Sequence, residues 1–175
     1  MKYLFFSVIS FLLWSHSFSQ NFPIDEETKL ITYTEVVKTE GTADLLYSKA
    51  HRWFFSYYKN PHNIVKKSEN LKIVARPRFK ILNPPDKKGI QTMGGIVLYT
   101  FTVIFKDGRY KYTITNIEWK QSSKYPIERW MDKSAASYKE KYSYYLEQVD
   151  KEITKTLALF KANVSQNKKK AEEEW

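Results

Sequence analysis

The chain contains no cysteine. That absence excludes a disulfide framework, a zinc–thiolate centre, a cysteine nucleophile and a cysteine-linked lipid anchor. Glycine and proline are scarce, at 5 and 6 of 175 residues, which excludes collagen-like and low-complexity chains. Histidine is scarcer still, with 3 residues in all. Beyond the N-terminal segment only His51 and His62 are left, and no cluster of histidines and carboxylates has metal-ligand spacing. No G-x-S-x-G elbow occurs, although a Ser-His-Asp set assembled in space stays open. Met93-Gly94-Gly95 precedes a strand-like run, whereas a phosphate-binding loop needs a strand before it and a helix after it. Asp25-Glu26-Glu27 reads as plain solvated charge. With no catalytic, metal or cofactor signature, the expectation is a protein that is not an enzyme and carries no cofactor.

Aromatic residues and positive charge are what the chain has in excess. Aromatics make up 17%, with 13 tyrosines, and 29 basic residues against 19 acidic ones give a net charge of +10. A hydrophobic fraction of 42% in 175 residues supplies one well-filled core and argues against wholesale disorder.

The N-terminus has the form of a secretory signal. Lys2 provides the positive start, residues 4–14 are apolar apart from two serines, and Ser17 and Ser19 stand two apart before Gln20. Cleavage is expected after Ser19, so residues 1–19 are read as a signal peptide and the mature protein as secreted or periplasmic. The apolar run is too short for a spanning helix, and no other segment is long and apolar enough to provide one.

Residues 20–28, with Pro23, read as an extended lead-in, and residues 29–37 (KLITYTEVV) as a strand. Thr42 is placed to cap a helix whose apolar stripe is Leu45, Leu46, Ala50, Trp53, Phe54 and Tyr57, stopping before Asn60-Pro61. Residues 64–69 and 72–81 form two β-type runs around Asn70, with Pro77 marking an edge or bulge. Residues 83–95 read as a long flexible loop. Asp107-Gly108 then predicts a type I′ hairpin that pairs Phe105 with Tyr110, Val103 with Tyr112 and Phe101 with Ile114 on an apolar face. The other face sets Ile104 opposite Lys111, Thr102 opposite Thr113, Thr100 opposite Thr115 and Leu98 opposite Ile117.

A last stripe, from Met131 through Ala135, Tyr138, Tyr142 and Tyr145 to Phe160, predicts a long helix, followed by a charged tail over residues 163–175. Residues 29–162 are thus one α+β domain: a mostly antiparallel sheet with two helices on one face, in the order β-α-β-β-β-β-α.

The stretches ITYTEVV, LYSKAHRWFFSYY and VLYTFTVIFKDGRYKYTITNIEW resemble a secreted bacterial domain-of-unknown-function family with a TATA-binding-protein-like (TBP-like) fold. The likeness runs from Thr28 to Trp119. Where that family has small glycine-flanked residues in the third strand, this chain has Ala75-Arg76-Pro77-Arg78. The resemblance implies the same element order and no catalytic residue.

If both helices cover one face, the opposite face is open. Arg76, Arg78, Lys80 and Lys111 would project there beside Thr100, Thr102, Thr113 and Thr115, with Leu98, Ile117 and Trp119 at its far end. That basic, threonine-rich face is the candidate binding site, for an unknown protein or an anionic envelope ligand. Specific nucleic acid is not expected of an exported sheet without apolar wedges. Most tyrosines are assigned to the core, leaving Trp119 as the one aromatic on the open face. The alternative is an envelope enzyme with a site near the 83–95 loop.

Overall fold

The computed structural model describes residues 22–165. The signal-peptide segment and most of the charged tail lie outside the described residues. Among the described residues, no helix is long and apolar enough to cross a membrane.

The lead-in is not extended but folds back on itself. The Asp25 carboxylate accepts from the backbone N–H and hydroxyl of Thr28, both at 2.8 Å. Lys29 takes a φ of 58°, and Ile24 and Ile31 then form a bridge. This turn delays the first strand, β1, to Tyr33–Lys38.

Thr42 caps α1 (Ala43–Tyr57), its hydroxyl accepting from the Leu45 N–H at 3.3 Å. Leu46, Ala50, Trp53 and Phe54 are buried, while Leu45 points away from the core and is 47% exposed. A single turn, α2 (Pro61–Ile64), leads into β2 (Val65–Glu69).

The run containing Pro77 divides into β3 (Lys72–Ala75) and β4 (Arg78–Leu82). Proline has no N–H for the ladder, so the strand breaks there. The long hairpin β5 (Met93–Lys106) and β6 (Arg109–Lys120) follows, then the short β7 (Lys124–Pro126), a 3-10 turn (Ile127–Trp130) and α3 (Lys141–Ser165).

The strands make one antiparallel sheet in the order β1-β6-β5-β3-β2, with β4 also pairing β5 and β7 pairing β6. Every expected hairpin pair from Lys106–Arg109 to Thr100–Thr115 is present. The turn itself differs. Gly108 takes φ 70° but Asp107 stays out of the left-handed region, so it is not type I′. Tertiary contacts account for this: Asp107 accepts from the Ala43 N–H at 2.7 Å and the Gly108 N–H donates to the Gly41 carbonyl at 2.9 Å. Both central residues are left-handed instead at Asn70-Leu71, between β2 and β3.

A second difference matters more for the site. Asn116, at φ 50°, adds a bulge that shifts the register, so Leu98 faces Glu118 rather than Ile117. Beyond it the alternation inverts. Ile117 and Trp119 are 1% and 8% exposed and belong to the core, not to the open face. Trp119 donates its indole N–H to the Gly94 carbonyl at 3.1 Å, and a Cβ on the neighbouring Gly95 would overlap that indole nitrogen.

Residues 131–140 are not helical. Trp130 packs against Tyr142 with ring centroids 5.6 Å apart, whereas twelve residues of continuous helix would separate them by about 18 Å. The chain therefore turns, with Asp132 accepting from the Ser134 N–H, before α3 begins. At its other end α3 passes residue 162, and Val164 is fully buried.

Both long helices lie on the same face of the sheet, where Phe160 meets Trp53, Phe54, Phe101 and Tyr110 at centroid distances of 5.0 to 5.8 Å. Phe160→Ala is expected to cost about 4 kcal/mol in urea denaturation, whereas Leu45→Ala should stay within about 0.5 kcal/mol.

Candidate functional site: the open sheet face and its basic corner

The register lays out the uncovered face row by row. The first row sets Val36, Lys111, Ile104 and Lys72 side by side, and the second Thr34, Thr113, Thr102 and Val74. Thr115 and Thr100 follow, then Glu118, Leu98 and Arg78, then Lys120, Ile96 and Lys80. β-Branched residues dominate the centre because they pack well on a pleated surface. Threonine hydroxyls link neighbouring strands, Thr32 with Thr115 at 3.0 Å and Thr34 with Thr113 at 3.1 Å.

All eight residues expected on this face are there, in two groups. Lys111 stands in the first row, toward the hairpin turn, and the four threonines occupy the middle, whereas Arg76, Arg78 and Lys80 lie beside the β3–β4 break. Arg76 is not a free cation: its guanidinium donates to Glu118 at 2.5 Å. Lys67 is likewise paired with Glu69 at 2.6 Å. Arg78, Lys80, Lys111 and Lys72 have no ion-pair partner among the described residues.

Two features escape a reading of the sequence. Val36 and Ile104 form an apolar step, 53% and 41% exposed, beside a cavity of about 290 Å³ that Lys106, Arg109 and Lys111 also line. Lys72 joins the face only because β3 pairs with β5, a non-local contact that no turn signal announces. At the opposite corner Arg76 and Arg78 line a cleft of about 610 Å³ together with Lys59 and Lys66.

The remaining candidates have structural surroundings. His51 is half-buried and stacks on Phe55 at 4.3 Å, and His62, within α2, meets the same ring edge-on at 5.1 Å. In the loop after β4, the Asn83 amide donates to Thr92 at 2.9 Å and accepts from Tyr145, while Gln91 donates to Tyr144 at 2.7 Å. Asp86 accepts from the N–H groups of Lys88 and Ile90. These polar groups fasten the loop to itself and to α3.

Titration behaviour follows burial. Tyr99 is pushed up to about 12 because burial penalises its phenolate. Burial also raises Tyr58, whose hydroxyl shares a hydrogen bond with Tyr99 at 3.3 Å, and Tyr33, which donates to Asp150. Glu35 is held below the usual carboxylate range by the Tyr112 hydroxyl at 2.5 Å and by Lys161 at 3.0 Å.

These arrangements define an α+β protein of the TBP-like class, with a covered face and a bare one. A TBP-like protein from Parabacteroides distasonis superposes with a TM-score of 0.62 at 13% identity, over 77% of this chain and 92% of that one. A DUF4468 family protein from Bacteroides ovatus does so with a TM-score of 0.56 at 17% identity, over 82% and 94%. At those identities the likeness establishes the fold. The family described as "Domain of unknown function (DUF4468) with TBP-like fold" matches residues 33–120, from β1 to the end of β6. This chain belongs to the DUF4468 family. No curated protein matches it.

Raised tyrosine pKa values mean that folding favours the neutral phenol. The stability they contribute is complete below the ordinary value of about 10 and is lost as pH climbs through the folded values. An alkaline titration read by tyrosinate absorbance should show a group of tyrosines, including Tyr58 and Tyr99, ionising well above pH 10 and together with loss of the folded state. The lowered Glu35 works at the acid end, where its contribution is present above the ordinary glutamate value and lost below it. Because Glu35 is largely solvated the effect is small, and Glu35→Gln should flatten the stability–pH curve only below about pH 4.5.

Proposed function

We propose that this is an exported, non-enzymatic interaction module whose open sheet face holds a protein partner with an acidic rim. One observation carries the reading: the bare face has an apolar and threonine centre inside a cationic frame, while the opposite face is filled by the core. Val36, Ile104, Val74, Leu98 and Ile96 provide a surface that gains by leaving water. Lys72, Lys111, Arg78 and Lys80 around it would steer and orient an acidic counterpart. An apolar centre with a polar rim is the anatomy of protein–protein interfaces and favours a protein over an anionic polymer, which needs no apolar centre. A second copy of the same face would set these cations against their own like charges.

Export rests on the N-terminal signal pattern, and the non-enzymatic reading on the residue inventory. In the 83–95 stretch, near which the alternative envelope enzyme would need its site, the Asn83, Asp86 and Gln91 side chains are spent on anchoring the loop.

A photo-cross-linking residue placed at Thr102 tests the face in the cells that make the protein, with Ser48 on the outer side of α1 as control. The expected result is a protein adduct at position 102 and none at 48, weakened about tenfold by Lys72→Glu with Lys111→Glu. Equal adducts at both positions, or indifference to charge reversal, would overturn the reading. A shift caused by an anionic polymer in place of a protein would reassign the face to an envelope polysaccharide.

A further inference from the structure

The cleft at the basic corner is a built cavity. Its outer wall forms where α1 ends at Tyr57, Tyr58 turns extended at φ −98° and ψ 134°, and Asn60-Pro61 restarts the chain as α2. Its inner wall is the break between β3 and β4. There the Arg76 N–H leaves the ladder and donates to the Ile64 carbonyl at 2.8 Å, while the Pro77 carbonyl accepts from Tyr99 at 3.2 Å. Backbone contacts thus set the distance between the walls. The adjoining tyrosines are tethered, Tyr58 to Tyr99 at 3.3 Å and Tyr57 to Thr156 at 3.4 Å.

Four cations line this cleft, Lys59, Lys66, Arg76 and Arg78, and no acid does. Glu118 neutralises Arg76 alone. Gathering like charges without counterions is unfavourable, and an oxyanion placed among them relieves that repulsion. Arg78 offers a planar fork of donors suited to two oxygens of one phosphate or carboxylate. The side-chain amides of Asn60 and Asn63, which have no hydrogen-bond partner among the described residues, add neutral donors and acceptors of the kind that hydroxyl groups satisfy. At about 610 Å³ the cavity is far larger than a bare ion needs and falls within the range of small-molecule sites.

We infer that this cleft binds a sugar-sized polyhydroxy anion carrying a single phosphate or carboxylate. The site lies at one corner of the face proposed above to hold a protein, sharing with it Arg76, Arg78 and Leu98, while its other lining residues belong to the end of α1, α2 and β2. Either reading can therefore fail alone.

The test is an amide-shift NMR titration of the protein with glucose 6-phosphate, glucuronate, inorganic phosphate and glucose. Saturable shifts confined to residues 58–66 and 76–78 are expected with one or both sugar anions, and which of them binds separates a phosphate ligand from a carboxylate one. Glucose should give none, and inorganic phosphate should bind more weakly. Lys66→Gln with Arg78→Gln should weaken binding by about tenfold or more, whereas Lys133→Gln, remote from the cleft, should leave it unchanged. Both variants lie at exposed positions, and the dispersion of the same spectra reports their folding. Sugar anions that bind no better than inorganic phosphate, or shifts spread over lysines across the whole surface, would overturn the proposal. An unchanged affinity in the folded Lys66→Gln, Arg78→Gln variant would do the same.

Discussion

The structure depends on Phe160. From α3 this one ring reaches Trp53 and Phe54 on α1, Phe101 on β5 and Tyr110 on β6, so both helices and the central hairpin meet at a single aromatic cluster. Edge-to-face and tilted packing of this kind adds to the apolar area buried. The cluster also commits the chain. Two amphipathic helices that both converge on one side of a sheet leave nothing among the described residues to cover the other. Everything proposed about function follows from that asymmetry.

Two local departures from regular strand geometry decide what the bare face presents. The bulge at Asn116 turns Ile117 and Trp119 inward, where Trp119 joins Trp130, Tyr142 and Tyr145, and it puts Glu118 outward instead. Without it, an indole would lie on the face and Arg76 would lack its carboxylate. The break at Pro77 lets β3 and β4 pair with successive stretches of β5 while releasing the Arg76 N–H to α2. That contact makes the corner cleft and gathers its cations. The face and the cleft are thus two products of one sheet, the first broad and suited to a surface, the second narrow and suited to a small anion.

Much of this was legible in the residues because it is periodic. The alternation of Phe101, Val103 and Phe105 against Thr100, Thr102 and Ile104 assigns the two sides of β5, and the turn at Asp107-Gly108 sets the pairing with β6. Thr42 marks the start of α1 by the chemistry of an N-cap. What escaped was non-local or aperiodic. Asn116 looks like any other strand residue until it takes a left-handed φ. The spacing of Met131, Ala135 and Tyr138 fits a helix, yet burying Trp130 against Tyr142 requires a chain reversal that no local propensity encodes. Asp107 could have joined a type I′ turn, but its carboxylate is engaged by the start of α1. The candidate residues were placed on their face correctly by alternation. The Arg76–Glu118 pair was not foreseeable from a register one residue out of step.

The central claim is that the face bearing Thr102 and Ile104 is bare in the isolated protein and occupied where the protein works. A chain without cysteine allows this to be measured with single introduced thiols and a water-soluble maleimide. Thr102→Cys and Ile104→Cys should react readily in the purified protein and be protected in intact cells, while Val103→Cys, on the core face, should react in neither. Equal reactivity of position 104 in both settings would contradict the account.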